Sequence, residues 1–361
     1  MKQIILSFII ITAMGIETFA QSNSHTLNIG AILSFSGFDG QAGKSNQNAL
    51  QLCIDTWNDK GGVNGKPLQL KVYDTQSNPA ISAALADSMI ENYRPDMVYM
   101  AMTDVVMNTQ AAFEANEVLQ LAAAGGNIFA NNPKYVLRGY FSVYDLSSYF
   151  VENINHFSKS NSFSILYDKN GFTDMYVDGL TKAANSHNVK INHLIDLKGN
   201  VDNYADIIAG SGISKDETIY IAAPHVSMPL EPLGELIRIL GENGYTGAIV
   251  SDAAIIENVP KNVYGTNIAN LYYLSIKESE SGNKVKEIYR SRFGTEMDER
   301  SLVMYNSLNT ILNYMDTNDI IAPYKVMEGI NGTVNNQVIE GTSVSGNEIR
   351  IGVQINQVES E

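Results

Sequence analysis

The chain has 361 residues, of which 44% are hydrophobic, and its formal net charge is −15. This length accommodates two ordinary domains with full hydrophobic cores, and the apolar content excludes a disordered chain. The acidic surface repels nucleic acid and anionic lipid, so we expect neither as a partner.

The N-terminus has the pattern of a secretory signal peptide. Lys2 precedes an apolar run from Ile4 to Ile16, and small residues lead up to Gln21. The run is too short for a membrane span, and no later segment is long and apolar enough to cross a bilayer. We predict cleavage after Ala20 and, because no Cys follows that position, no lipidation there. The mature protein is expected to be soluble and periplasmic or secreted.

The stretch SFSGFDGQAGKS at 34–45 comes close to a nucleotide-binding P-loop, because it lies between an apolar run and a helical pattern. A P-loop needs a glycine five residues before the glycine of its Gly-Lys-Ser, so that successive N–H groups wrap the phosphate. Here that position is Phe38, and Gly37 and Gly40 are out of register. We therefore expect no nucleotide, and we assign the glycines to the close approach of another group to the backbone.

Apolar runs alternate with helical patterns through the first third of the chain. The predicted strands are 27–33, 68–73, 96–101 and 118–123, and the predicted helices are 44–59, 79–92 and 105–116. Short strands that alternate with longer helices imply right-handed βαβ units and a parallel sheet. In the first helix, Cys53, the one cysteine of the chain, shares a stripe with Leu50, Ile54 and Trp57. We therefore predict a buried thiol.

A second series of the same kind follows. Its predicted strands are 162–167, 188–195, 217–223 and 247–250, and its predicted helices are 146–158, 173–187, 203–210 and 230–243. The tail is too strand-poor at its start to form a third domain. Its predicted elements are helices at 283–293, 299–315 and 320–329 and β-like segments near 335–341 and 348–356. The chain therefore forms two α/β lobes and a tail that completes them.

The order and spacing of these motifs resemble the type I periplasmic binding proteins, in particular the leucine/isoleucine/valine-binding group that serves amino-acid ABC transporters. In 28–79, a strand leads through a Ser-Gly turn into a long helix and a GG-x-x-G exit. The next strand ends at Tyr73-Asp74, with Asn78-Pro79 beyond. The stretch FSILYDKNGFTDMYVDGLTKAAN is similar to the opening of that family's second lobe. The resemblance covers most of the mature chain.

The resemblance implies an α/β fold of two doubly wound, Rossmann-like lobes joined by three crossovers, the periplasmic binding protein-like I fold, with no cofactor and no metal. The crossovers are expected near 139–143, 272–275 and 330–336. The expected divisions are a signal peptide at 1–20, lobe 1 at 21–140 plus 275–330, and lobe 2 at 141–274 plus 331–361. Ligands of open parallel sheets bind beyond the carboxyl ends of the strands, so we expect the site in those loops.

An α-amino acid needs donors for its carboxylate, ideally at a helix N-terminus, and oxygen acceptors for its ammonium. By resemblance, the Thr103 hydroxyl binds the carboxylate; alternatively, Thr103 or Asp104 is a plain N-cap. Asp104, if it pointed inward, would repel a carboxylate. By resemblance, Ala124 accepts from the ammonium, while the N–H of Gly126 or Asn127 donates to the carboxylate; alternatively, this is a glycine turn. The family commonly has a hydroxyl residue at one of the last two positions, and its absence here weakens that clamp.

The loop after the first strand and the start of the second lobe supply further candidates by resemblance. Ser36 and Phe38 would form the first cleft loop, with Phe38 as a wall against an apolar part of the ligand. Alternatively, Phe38 is an ordinary hydrophobic staple. Phe172 occupies the position of a family tyrosine, so it keeps the stacking face and loses the hydroxyl.

Asp252 is our main candidate for gripping the ammonium, because it ends a strand where the family often has an acid; a capping role is the alternative. His225 lies in a segment, 222–232, that looks longer than the family's loop. It either lines the pocket or is a solvated loop histidine. Tyr305 is a weaker pocket candidate from the tail, and packing is its alternative role.

The main functional hypothesis is a non-catalytic binding protein whose lobes close by hinge motion on a small polar ligand, an amino acid or a relative. It would deliver this ligand to an inner-membrane ABC permease. A sensor of the same fold that signals to a membrane partner is the alternative. An exported enzyme is disfavoured, because the sequence has no G-x-S-x-G, H-E-x-x-H or dinucleotide fingerprint and its five histidines are scattered. The identity of the ligand stays open.

Overall fold

The computed structural model describes residues 26–37, 39–198, 201–222, 230–252, 270–333 and 338–358. Their strands are β1 (Leu27–Leu33), β2 (Leu68–Asp74), β3 (Met97–Ala101), β4 (Leu119–Ala123), β5 (Val136–Arg138), β6 (Ser162–Tyr167), β7 (Lys190–Asp196), β8 (Ile219–Ala222), β9 (Ile249–Asp252), β10 (Leu271–Ile276), β11 (Ser343–Ser345), β12 (Glu348–Arg350) and β13 (Val353–Gln357).

The helices among these residues are α1 (Gly40–Asn58), α2 (Ser82–Asn92), α3 (Thr103–Ala115), α4 (Val143–Glu152), α5 (Ile154–Phe157), α6 (Gly171–His187), α7 (Tyr204–Gly210), α8 (Leu230–Glu242), α9 (Glu280–Phe293), α10 (Glu299–Asn318) and α11 (Pro323–Gly329). Short 3₁₀ turns lie at Pro79–Ile81 and Val201–Asn203. Among the described residues, no helix has both the length and the apolar character that a membrane span requires.

The strands form two sheets, and each sheet with its helices is one lobe. Lobe 1 has a seven-stranded sheet in the order β11-β12-β5-β4-β3-β1-β2, and lobe 2 has a six-stranded sheet in the order β13-β10-β9-β8-β6-β7. Nearly all pairs are parallel, and the antiparallel ones involve the tail strands β11, β12 and β13. In each lobe the first strand lies between the next two in sequence, which is the doubly wound arrangement. The predicted two-lobed α/β fold is confirmed.

The lobe 1 core lies between its sheet and the packed pair α1 and α10. Cys53 is fully buried there with Leu50, and burial raises the pKa of its thiol. The indole Nε1 of Trp57 donates to Asn309 Oδ1 at 3.0 Å, which ties α1 to the tail helix. The predicted buried stripe is therefore confirmed, and the tail helix α10 shares this core.

The chain passes between the sheets three times, at 139–142, 277–279 and 351–352. The predicted second passage, 272–275, lies inside β10, and the passage follows that strand. The last passage differs more, because the prediction placed it near 330–336 and assigned all of 331–361 to lobe 2. Residues 343–350 instead form a hairpin, β11 and β12, that extends the lobe 1 sheet beyond β5, and only β13 joins lobe 2. The second and third passages run side by side, since the Lys277 N–H donates to the Gly352 carbonyl at 2.8 Å.

Candidate functional site

A cavity of about 570 Å³ lies between the lobes, at the carboxyl ends of the strands. This volume suits a small molecule. Lobe 1 and its tail helix supply Asp39, Ala101, Met102, Thr103, Asp104, Ala123, Ala124, Gly125, Asn127, Tyr140 and Arg300, and lobe 2 supplies Asn170, Gly171, Phe172 and Met175. Both lobes therefore contribute to one cavity, and several helices begin at its wall.

The loop after β1, which raised the question of a phosphate site, contacts the protein itself. Gly37 has φ +81°, and a Cβ there would lie 2.6 Å from the Gln76 carbonyl oxygen. The Ser36 hydroxyl donates to Asp74, and the Ser36 N–H also reaches that carboxylate at 3.3 Å. Ser36 is exposed and is not among the described residues of the cavity wall. Gly37 therefore allows the close approach of the loop after β2. Ser36 was predicted to lie in the cleft, but in the structure it binds Asp74 outside the cavity wall.

The strand-to-helix turn at the start of α3 brings Thr103 to the cavity. Met102 precedes the helix with φ +77°, a conformation that a methionine rarely adopts and that its surroundings must hold in place. Met102 is the N-cap residue, and the helix has no side-chain cap bond. The alternative interpretation of Thr103 or Asp104 as the capping residue is therefore wrong. Thr103 and Asp104 both line the cavity, so the acid does lie on the wall where a carboxylate was expected.

Two of the predicted ligand-binding groups in the loop after β4 already have protein partners. The Gly126 N–H donates to Thr103 Oγ1 at 3.2 Å. The Ala124 carbonyl accepts from Arg138 Nη1 at 2.6 Å. A ligand ammonium at this carbonyl would therefore face a guanidinium. Asn127 is exposed and lines the cavity.

Arg138 is held in lobe 1 by three kinds of contact. Only 3% of the residue is exposed, and its Nε pairs with Glu348 Oε1 at 2.9 Å. Its guanidinium also lies 5.2 Å from the centre of the Phe129 ring. Burial lowers the pKa of Arg138, while Glu348 opposes that shift. The residue joins β5 to β12 and shapes the cavity wall from behind.

The sequence analysis missed an ion pair on the cavity wall. Arg300, in the first turn of α10, has Nη1 at 3.6 Å from Oδ1 of Asp39, which precedes α1. The side chains are 21% and 18% exposed. Burial tends to lower the pKa of Arg300, but the nearby Tyr140 and Asp39 raise it overall. A sequence signal did exist, because a cation in the first helical turn opposes the helix dipole and calls for another role.

Lobe 2 presents an aromatic and thioether wall at the start of α6. Asn170 caps this helix, since its Oδ1 accepts from the N–H groups of Phe172 and Thr173, both at 3.0 Å. Phe172 lines the cavity, and its ring centre lies 5.7 Å from that of Tyr176. A Cβ on Gly125 of lobe 1 would be 3.5 Å from Phe172 Cζ, so the two lobes meet closely here.

Asp252 lies at the end of β9, behind this wall. It accepts a hydrogen bond from the Tyr176 hydroxyl at 3.0 Å, and it is not among the described residues that line the cavity. Burial, with a contribution from Asp252, raises the pKa of Tyr176 well above its usual value. Asp252 also acts electrostatically on Tyr140, which does line the cavity.

The other predicted residues divide into two groups. Phe38 and His225 lie outside the described residues. Tyr305 is 5% exposed and belongs to the lobe 1 core, where burial raises its pKa to about 12. In the part of the chain that the structure describes, no cluster of His, Cys, Asp and Glu could hold a metal ion.

The family model for periplasmic binding proteins matches residues 26–318. The chain belongs to this family. Among curated proteins, this binding protein is similar to the Leu/Ile/Val-binding protein homolog 1 of Brucella abortus, with 18% identity over 296 residues that cover 78% of this chain and 76% of the relative. The resemblance noted in the sequence is thus confirmed.

Solved structures are similar in fold to this binding protein. One is the branched-chain amino acid transporter substrate-binding protein LivJ of Streptococcus pneumoniae, in complex with isoleucine, with a TM-score of 0.70, 16% identity and coverage of 92% of this chain and 96% of that one. Another is an ABC transporter solute-binding protein of R. palustris in complex with 4-hydroxybenzoate, with a TM-score of 0.75, 18% identity and coverage of 93% and 94%.

Proposed function

We propose that this protein is an exported solute-binding protein that closes its lobes on a small polar ligand, an amino acid or a relative, for an inner-membrane ABC permease. The observation that carries the proposal is the cavity of about 570 Å³ whose wall is shared by both lobes. A ligand held by both lobes stabilises the closed arrangement over the open one, which is how hinge closure around a ligand works.

The solved relatives support a small carboxylate as ligand. The S. pneumoniae protein holds isoleucine and the R. palustris protein holds 4-hydroxybenzoate. Each compound combines one carboxylate with an apolar or aromatic body. The cavity here offers a matching surface, since Phe172, Met102 and Met175 are apolar and Arg300 is a cation.

We propose that Asp252, from its place behind the Phe172 wall, favours an ammonium group on such a ligand through its negative charge. It lies within electrostatic range of Tyr140, and Tyr140 also interacts with Arg300. Arg300 on the lobe 1 wall and Asp252 behind the lobe 2 wall are a pair of opposite charges. A zwitterionic amino acid needs such a pair of charges.

The test is a thermal-shift screen of mature protein, recovered from the periplasmic fraction and refolded once to remove carried-over ligand. Its N-terminal residue checks the predicted cleavage after Ala20. The panel holds the amino acids, small amides, aromatic and other organic acids, and sugars. A ligand at a thousand times its Kd adds about 4 kcal/mol of stability, so a true ligand gives a clear shift. No shift with any member would contradict the proposal.

Asp252→Ala should weaken an amino-acid ligand about thirtyfold, because truncating one partner of a buried charge pair costs about 2 kcal/mol or more. Calorimetric titration of the ligand measures the effect. Asp206→Ala, which removes an exposed carboxylate of the same lobe, is the matched control. A loss for Asp252→Ala no greater than for this control would remove Asp252 from the site.

A further inference from the structure

The wall of the cavity that was expected to receive a carboxylate is poorly suited to one. The Gly126 N–H is bonded to Thr103 Oγ1, so it does not point to a ligand. Asp104 lies on the same wall, and its charge repels an anion. The N-terminus of α3 is the other anion-binding feature of this wall. Among the described residues beside it, no cation balances the charge of Asp104. The Thr103 hydroxyl can still donate to a ligand carboxylate, but the counter-charge must come from another part of the cavity.

Arg300 is the cation that the described cavity wall provides. It comes from α10, whose N-cap is Asp298, with Oδ1 accepting from the Ser301 N–H at 2.7 Å. The cap fixes the first helical turn and with it the origin of the Arg300 side chain. At this position the helix dipole opposes a cation, so the charge does not serve the stability of the helix.

The contact between Arg300 and Asp39 is long for a strong ion pair. The 3.6 Å separation exceeds the roughly 2.7–2.9 Å of a charge-assisted hydrogen bond. The pKa of Asp39 is also raised, because the cost of its burial outweighs the attraction of Arg300. Asp39 thus balances the guanidinium charge without binding it closely, which differs from the way Glu348 binds Arg138.

We infer that Arg300 is the receptor for the ligand carboxylate and that Asp39 is the counter-charge with which the ligand carboxylate competes. The inference rests on the proposed function, since it assumes a ligand between the lobes. The planar guanidinium fork binds a carboxylate bidentately. The ligand class is a small monocarboxylate whose apolar body packs against Phe172, Met102 and Met175.

The experiment compares two acids with their neutral amides: L-leucine with L-leucinamide, and 4-hydroxybenzoate with 4-hydroxybenzamide. Calorimetric titrations use mature wild type, Arg300→Gln, Arg300→Lys, Asp39→Asn and the control Arg290→Gln, which removes an exposed arginine paired with Glu296. At least one acid should bind wild type, and about tenfold or more tighter than its amide. Arg300→Gln should weaken that acid about thirtyfold and the amide little, because only the charged partner is lost.

The companion variants separate charge, geometry and position. Arg300→Lys should recover part of the affinity, because it keeps the charge and loses the fork. Asp39→Asn should bind the acid a few times more tightly than wild type, since the ligand no longer competes with the Asp39 carboxylate. Arg290→Gln should match wild type. Thermal melting of every variant shows that the compared proteins are folded.

Two results would overturn the inference, and they are distinguishable. Equal affinity for acid and amide, or unchanged acid binding in Arg300→Gln, would refute Arg300 as the receptor while the proposed function stands. Failure of all four compounds to bind wild type at millimolar concentration would refute the monocarboxylate class. If the wider panel also failed, the proposed function would fall with it.

Discussion

Lobe 1 has one arginine on the cavity wall, Arg300, and one behind it, Arg138, and their surroundings are opposite in character. Arg138 is almost fully buried and has close contacts with Glu348, the Ala124 carbonyl and the Phe129 ring. Arg300 is one-fifth exposed, and its contact with Asp39 is 3.6 Å long. One guanidinium is bound closely by the fold, and the other lies beside a loosely held counter-charge on the wall of an open volume.

The difference teaches how to separate structural charges from functional ones. A buried charge is tolerated when protein groups satisfy it, and Arg138 meets that condition. A charge on the wall of a cavity can interact with a ligand, and Arg300 meets that condition. The sequence gives both residues the same chemistry, so only the contacts distinguish them.

The largest effect is expected for Arg138→Met, which should lower the free energy of unfolding by about 3 kcal/mol, because it removes a buried guanidinium that pairs with both Glu348 and the buried Ala124 carbonyl. Urea denaturation followed by circular dichroism measures it. The double variant Arg138→Met with Glu348→Met should recover part of the loss, because an apolar pair can replace a buried ion pair. If the single variant were as stable as wild type, the structural role of Arg138 would be refuted.

Arg300→Gln should change the free energy of unfolding by less than about 1 kcal/mol, since partly exposed ion pairs contribute little. The same denaturation experiment, without ligand, measures it beside Arg138→Met. Together with the binding loss proposed above, this result would complete the contrast between the two arginines. A destabilisation as large as that of Arg138→Met would show that Arg300 is a structural residue as well.

Much of the fold follows from patterns that are local in sequence. The bounds of β1 and β6 agree with the predicted strands at 27–33 and 162–167, because both are mainly apolar segments followed by strong helical patterns. β5 was not predicted, since it has only three residues. The tail hairpin was assigned to lobe 2 for a related reason. It belongs to the lobe 1 sheet because β12 pairs with β5, the strand that was not predicted.

The site was less accessible from the sequence. Thr103, Ala124, Asn127 and Phe172 were predicted from motifs and do lie on the cavity wall. Their hydrogen bonds were not predictable, because the contact of Ala124 with Arg138 depends on how neighbouring strands are spaced. The meeting of Asp39 with Arg300 depends on how the tail helix docks on lobe 1, and no local pattern encodes that.

The last effect concerns Asp74, a residue that has close partners but is not buried. Like Arg138 it has several partners: the Ser36 hydroxyl and the N–H groups of Phe35, Ser36 and Gln76. Unlike Arg138 it is partly exposed. Desolvation tends to raise the pKa of this carboxyl, but the hydrogen bonds, first that from Ser36, lower it below the usual 3.8. Asp74→Asn should therefore cost less than Arg138→Met, about 1 kcal/mol at neutral pH.

This contribution has a defined pH window. Because the folded pKa of Asp74 is depressed, the stabilisation is fully present above about pH 4 and is lost as the pH falls through the folded pKa. The difference in the free energy of unfolding between wild type and Asp74→Asn should be constant from neutral pH down to about pH 4 and should shrink below it. Ser36→Ala removes one donor to Asp74, so in that background Asp74→Asn should cost less free energy of unfolding than it does in wild type. A difference that stayed constant at lower pH would show that the hydrogen bonds do not favour the ionised form, and that close partners matter only when the charge is buried.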